Sequence, residues 1–83
     1  MELKNTSDMM NSPEYKQRFM AEYWQTKIRY EKLSKMCASY EMGTLPFTPS
    51  CSLELLKKQL SAMDSYLKCL EERAEVENIK LYD

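Results

Sequence analysis

Between Pro13 and Gly43, and again from Ser50 to Asp83, the chain carries neither glycine nor proline. Two such runs, each about 30 residues and so roughly 45 Å long as helix, leave little room for anything but helices. Ser12-Pro13-Glu14 reads as a helix start: a serine cap, a proline in the first turn and an acid at the positive dipole end. Gly43 reads as its C-cap, with Pro46 just beyond. Thr48-Pro49-Ser50 repeats the start signal. The expected fold class is therefore all-α: an antiparallel two-helix hairpin, with helix one over about 13–42, a loop at 43–48 and helix two over about 49–81. Residues 1–11 are polar and aperiodic and read as a mobile tail, leaving 12–83 as one domain. Leu45 and Phe47 in the loop are expected to fold back over the helix ends.

Periodicity supports the hairpin. Phe19, Tyr23, Thr26, Tyr30, Leu33, Cys37 and Tyr40 alternate by four and three, as do Leu53, Leu56, Leu60, Met63, Leu67, Leu70 and Ala74. These are heptad seams of about three heptads each. Apolar residues remain outside them. Met20, Trp24 and Ile28 fall four apart, Met36 adds to them, and Leu55, Ala62 and Cys69 make a stripe on helix two. A cytosolic chain of 83 residues with that much apolar surface is expected to self-associate into an oligomeric helical bundle, with Met20, Trp24, Ile28, Met36 and Leu55 at the interface.

Composition excludes much chemistry. With no histidine and one glycine, histidine–metal sites, His-dependent triads and glycine-rich phosphate loops are out of reach, and no cofactor or metal site is expected. A net charge of −1 offers no footprint for duplex nucleic acid. No apolar run has the length of a signal peptide or a membrane span, so a cytosolic location is expected. Cys37, Cys51 and Cys69 are odd in number with no Cys-x-x-Cys spacing, and read as reduced, partly buried apolar residues.

One polar line stands out. Gln59, Tyr66 and Arg73 are seven apart on helix two. Antiparallel pairing about the loop brings Tyr15, Arg18 and Glu22 to the same open end as Tyr66, Glu72 and Arg73, with Arg18 expected to meet Glu72 and Glu22 to meet Arg73. Such flanking charges ordinarily set helix register. As a site, Tyr15, Arg18, Glu22, Gln59, Tyr66 and Arg73 combine a planar cation for phosphate, rings for stacking and an amide for polar edges. No positioned nucleophile or general base accompanies them, so no catalytic residue is assigned. A basic zone (Lys27, Arg29, Lys32, Lys35, Lys57, Lys58) and an acidic run (Glu71, Glu72, Glu75, Glu77) read as solvated faces that antiparallel or head-to-tail subunit pairing would exploit.

Tyr15-Lys16-Gln17-Arg18, Glu22 and Tyr30-Glu31-Lys32-Leu33, with Gln59-Leu60, Met63, Tyr66, Leu70 and Arg73, resemble a family of very small helical phage proteins found in crAss-like phages and prophages. The resemblance spans about residues 14–74; Tyr30 and Trp24 depart from it, as does a longer tail beyond Arg73. It implies a phage accessory protein acting in the host cytosol. By analogy of size and architecture it suggests a homo-oligomeric sponge for a cyclic-nucleotide or ADP-ribose-type immune signal. There Arg18 and Arg73 would hold phosphate, Tyr15 and Tyr66 would meet base and ribose, and Gln59 and Glu22 would read polar edges. The alternatives are a helical module that inhibits a host protein by contact, or a structural coiled-coil adaptor.

Overall fold

The computed structural model describes residues 1–82. The chain forms three helices, α1 (Leu3–Met10), α2 (Tyr15–Met42) and α3 (Leu53–Val76), and no strand among the described residues. α2 packs against both other helices. Tyr15 meets Glu77 at one end and Glu41 pairs with Lys57 at the other, so α2 and α3 run antiparallel.

The helix ends differ in detail from the sequence expectation. α2 starts at Tyr15 with Glu14 as N-cap, and Ser12 Oγ accepts from the Glu14 backbone N–H at 3.1 Å. Gly43 closes α2 in the left-handed region at φ 72°, where Thr44 N–H reaches back to Ser39 O at 2.9 Å. α3 starts later than expected: Ser52, not the Thr48-Pro49-Ser50 signal, is the N-cap, accepting from Leu55 N–H at 3.2 Å. α3 also stops earlier, at Val76 rather than near 81. Asn78 takes a left-handed φ of 57° and Ile79 N–H returns to Ala74 O at 2.8 Å. Asparagine reaches that conformation at low cost, so the helix ends without a glycine. In the loop Leu45 is half-buried, whereas Phe47 is exposed rather than folded over the helix ends.

Burial follows the alternating positions. Phe19, Tyr23, Leu67, Leu70 and Ala74 form the core cluster, and Cys37 and Leu56 are buried towards the loop. The remaining members of both alternating sets, from Thr26 to Met63, are half-buried.

The two ends of the chain overturn one expectation each. Residues 3–10 are helix α1, not a mobile tail. α1 lies along Gln25, Ile28 and Lys32, a second alternating line on α2. Gln25 meets Met10, and Ile28 and Lys32 share a cleft of about 430 Å³ with Leu3 and Lys4. Thr6 on α1 and Ala21 on α2 are fully buried, at 1% and 0% exposed. At the other end, residues 77–82 fold back over the hairpin. Ile79 and Leu81 join the core cluster, with Met20 and Trp24 packed against it, and Trp24 Nε1–H donates to Leu81 O at 3.0 Å. The face of Met20, Trp24 and Ile28 was expected to be covered by another copy. It is covered by the chain's own termini, because folding an attached segment onto an apolar face costs less entropy than recruiting a second molecule. Met36 is half-buried, and Leu55 alone of the expected interface residues is exposed, at 53%.

Candidate functional site

The open end of the hairpin carries a compact polar cluster. Arg73 sits in the last turn of α3, opposite Tyr15 in the first turn of α2. Its Nη2–H donates to Tyr15 Oη at 2.8 Å, and its Nε–H to Glu77 Oε2 at 3.1 Å. Tyr15 O–H in turn donates to Glu77 Oε1 at 2.7 Å, closing a ring of three side chains. The guanidinium lies 4.9 Å above the Phe19 ring, and Phe19 meets Tyr15 edge-on. Phe19, fixed in the core, is thus the floor on which Arg73 is oriented.

The electrostatics follow from these contacts. The hydrogen bond from Tyr15, supported by Arg73, holds the Glu77 carboxyl below its usual value of 4.5. Bonding to the same carboxylate raises the Tyr15 hydroxyl and the Arg73 guanidinium above theirs. Arg73 stays cationic and Glu77 anionic throughout the neutral range. One guanidinium nitrogen, Nη1, makes no hydrogen bond in the described structure, and the side chain faces solvent.

Of the six residues singled out in the sequence, Tyr15 and Arg73 are brought into contact. The others stand apart. Arg18 Nη1–H donates to Ser12 O at 2.8 Å rather than meeting Glu72. Arg73 takes Glu77 and Tyr15 in place of the expected Glu22, whose side chain is exposed. Tyr66 is 42% exposed in mid-helix, and Gln59 donates to Met63 Sδ, at 3.9 Å, within its own helix. Gln59 is fourteen residues from Arg73, about 21 Å along one helix. Glu77 and Phe19 belong to the cluster but were not assigned to it. Glu77 lies four residues after Arg73, the spacing at which opposite charges meet on a helix, and that signal was available.

A second polar group lies under the C-terminal tail. Tyr23 is 0% exposed as a residue, and its hydroxyl reaches the rim to donate to Glu71 Oε2 at 2.8 Å and to meet the Tyr82 hydroxyl. Burial foremost, then those two partners, raises the Tyr23 hydroxyl far above its usual value. Trp24, Tyr23 and Tyr82 meet edge to face, so this group fastens the tail. Among the described residues no cluster of carboxylates or thiols has the spacing of a metal site, and no helix is long and apolar enough to cross a membrane.

The Sequestin family model matches residues 13–76. No curated protein and no solved structure matches the chain. The matched span begins just before α2 and ends with α3, so α1 and the tail lie outside it.

Proposed function

The chain belongs to the Sequestin family, and from that premise we propose that it is a non-enzymatic sponge that sequesters an anionic, nucleotide-type signal. The family name accords with a sequestering role. The finer reading is a phage-encoded anti-defence protein that holds a cyclic-nucleotide or ADP-ribose-type immune signal in the host cytosol. One observation carries it: an exposed guanidinium, oriented by Phe19 and Tyr15, with hydrogen-bonding capacity left over at Nη1. A planar cation beside aromatic rings suits a phosphate joined to a ribose and a base. The ring of Arg73, Tyr15 and Glu77 contains no nucleophile paired with a base, which favours retention of the ligand over its conversion.

Calorimetric titration with cyclic dinucleotides, cyclic trinucleotides and glycocyclic ADP-ribose tests the proposal. Saturable heat, followed by recovery of intact ligand after denaturation, is the expected result, and Arg73→Ala is expected to abolish it while the helical circular dichroism persists. No heat with any member of the panel overturns the reading. The competing role, a module that blocks a host protein through its Met20 and Trp24 face or its charged face, loses support at the first of these, because the chain's own tail lies over it.

A further inference from the structure

The outer face of α3 repeats the pattern of its inner face. Leu55, Gln59, Ala62, Tyr66, Cys69, Arg73 and Val76 are spaced four, three, four, three, four and three, and every one is exposed. Leu55, Tyr66 and Val76 are exposed at 53%, 42% and 81%. A line of this period is the seam of a coiled coil. Tyr15 and Glu77 hold Arg73 at one end of it, but neither α1 nor residues 79–82 cover the rest; α1 packs on α2, and the tail on Trp24 and Tyr23.

The line is also close to a palindrome about Tyr66. Reversing it sets Leu55 against Val76, Gln59 against Arg73, and Ala62 against Cys69: large with large, amide with guanidinium, small with small. The flanking positions reverse in the same way. Lys58, Ser65 and Glu72 lie beside the line on its open side and are exposed, and reversal sets Lys58 against Glu72. The other flank, Leu56, Met63 and Leu70, is turned inward. Matching flanks of this kind face each other in an antiparallel pair. Parallel pairing would instead set Arg73 against Arg73 and turn the Lys58 flank towards the apolar flank of Met63. A self-complementary surface whose charges balance only when reversed is that of a closed two-fold contact.

We propose that α3 pairs antiparallel with α3 of a second copy, and that this dimer completes the Arg73 site by bringing the partner's Gln59 to Arg73. Within one chain Gln59 is about 21 Å from Arg73; across the two-fold it lies opposite. Each dimer then holds two equivalent sites, each of Tyr15, Arg73 and the partner's Gln59, with the two Tyr66 rings on the axis between them. The Leu55 line, not the Trp24 face, is the interface. The site assignment rests on the ligand reading above; the pairing does not.

A charge swap tests the pairing. Lys58 and Glu72 are on one helix, also about 21 Å apart, so they compensate for each other only between chains. Sedimentation of the wild type is expected to give twice the 9.9 kDa chain mass. Lys58→Glu or Glu72→Lys alone should weaken the dimer roughly tenfold by setting like charges together. The two combined should restore it. As a second probe, Ala62→Cys in a Cys51→Ser background should form, on oxidation, a dimer cross-linked through the native Cys69. A wild-type mass of 9.9 kDa across the micromolar range, or single reversals without effect, would overturn the proposal. A dimer that passes the swap but takes up no nucleotide upholds the interface and removes the ligand reading; a monomer that binds one does the reverse.

Discussion

At the scale of single residues, Glu77 competes for what a ligand would need. Its carboxylate takes the Nε–H of Arg73 and places a negative charge beside any incoming phosphate. Glu77→Gln removes that charge while keeping an acceptor, so phosphate-bearing ligands are expected to bind several-fold tighter, read by titration at low salt. The same contacts set a pH dependence. Because the folded Glu77 value lies below its usual 4.5, the ring contributes stability above that value and loses it as pH falls through the lower folded one. In Tyr15→Phe the Glu77 midpoint, followed by carboxyl-carbon NMR, should move back towards 4.5. Tyr23 has the opposite sign. Its hydroxyl is raised above the usual 10.0, so its contribution is complete below that pH and is lost as pH climbs beyond it. Tyr23→Phe gives up a hydrogen bond to a carboxylate and should cost about 1–2 kcal/mol by urea unfolding at neutral pH. The mutant should also lose part of the wild type's alkaline sensitivity.

At the scale of elements, the ends of α2 and α3 show what a sequence displays openly and what it hides. Gly43 is visible because glycine is the usual residue at a left-handed C-cap. Asn78 performs the same turn at φ 57° but is also an ordinary helix residue, so nothing in the spacing marks α3 as ending before it. That one turn decides the fate of Ile79 and Leu81, which read as further helix and are instead core. Gly43→Ala should cost about 1 kcal/mol, and Asn78→Ala a similar amount, whereas Asn78→Gly should be neutral or mildly stabilising. Thermal melts of the three variants check this. A loss on Asn78→Gly equal to that on Asn78→Ala would mean that the asparagine side chain, not its backbone, holds the turn. The site was legible in the same uneven way. Tyr15 and Arg73 were found from antiparallel register alone. Arg18 and Glu22 were not, because a short local partner, Ser12 O for Arg18 and Glu77 for Arg73, outcompetes a carboxylate across the hairpin.

For the molecule as a whole, the surplus apolar surface of α2 was read as the interface with another copy, whereas within the chain α1 and the tail already lie over part of it. Two helices of this length bury one stripe each, and α2 carries two; a chain of 83 residues meets the excess with its own ends. Both ends lie outside the matched span, and Glu77 with them, whereas Tyr15, Phe19 and Arg73 lie inside it. That division has a measurable consequence. Ending the chain at Val76 removes Glu77 from Arg73 and uncovers Trp24, the only tryptophan. It also removes Ile79 and Leu81, each contributing about 1.5–3 kcal/mol of burial, a large share for a domain this small. The truncated chain should show red-shifted Trp24 emission and a lower melting temperature. It should also associate through the bared Met20 and Trp24 face, which Trp24→Gln in the same background would suppress. If truncation instead leaves emission and melting temperature unchanged, the tail does not fasten the hairpin, and the apolar face of α2 must find its cover in another copy after all.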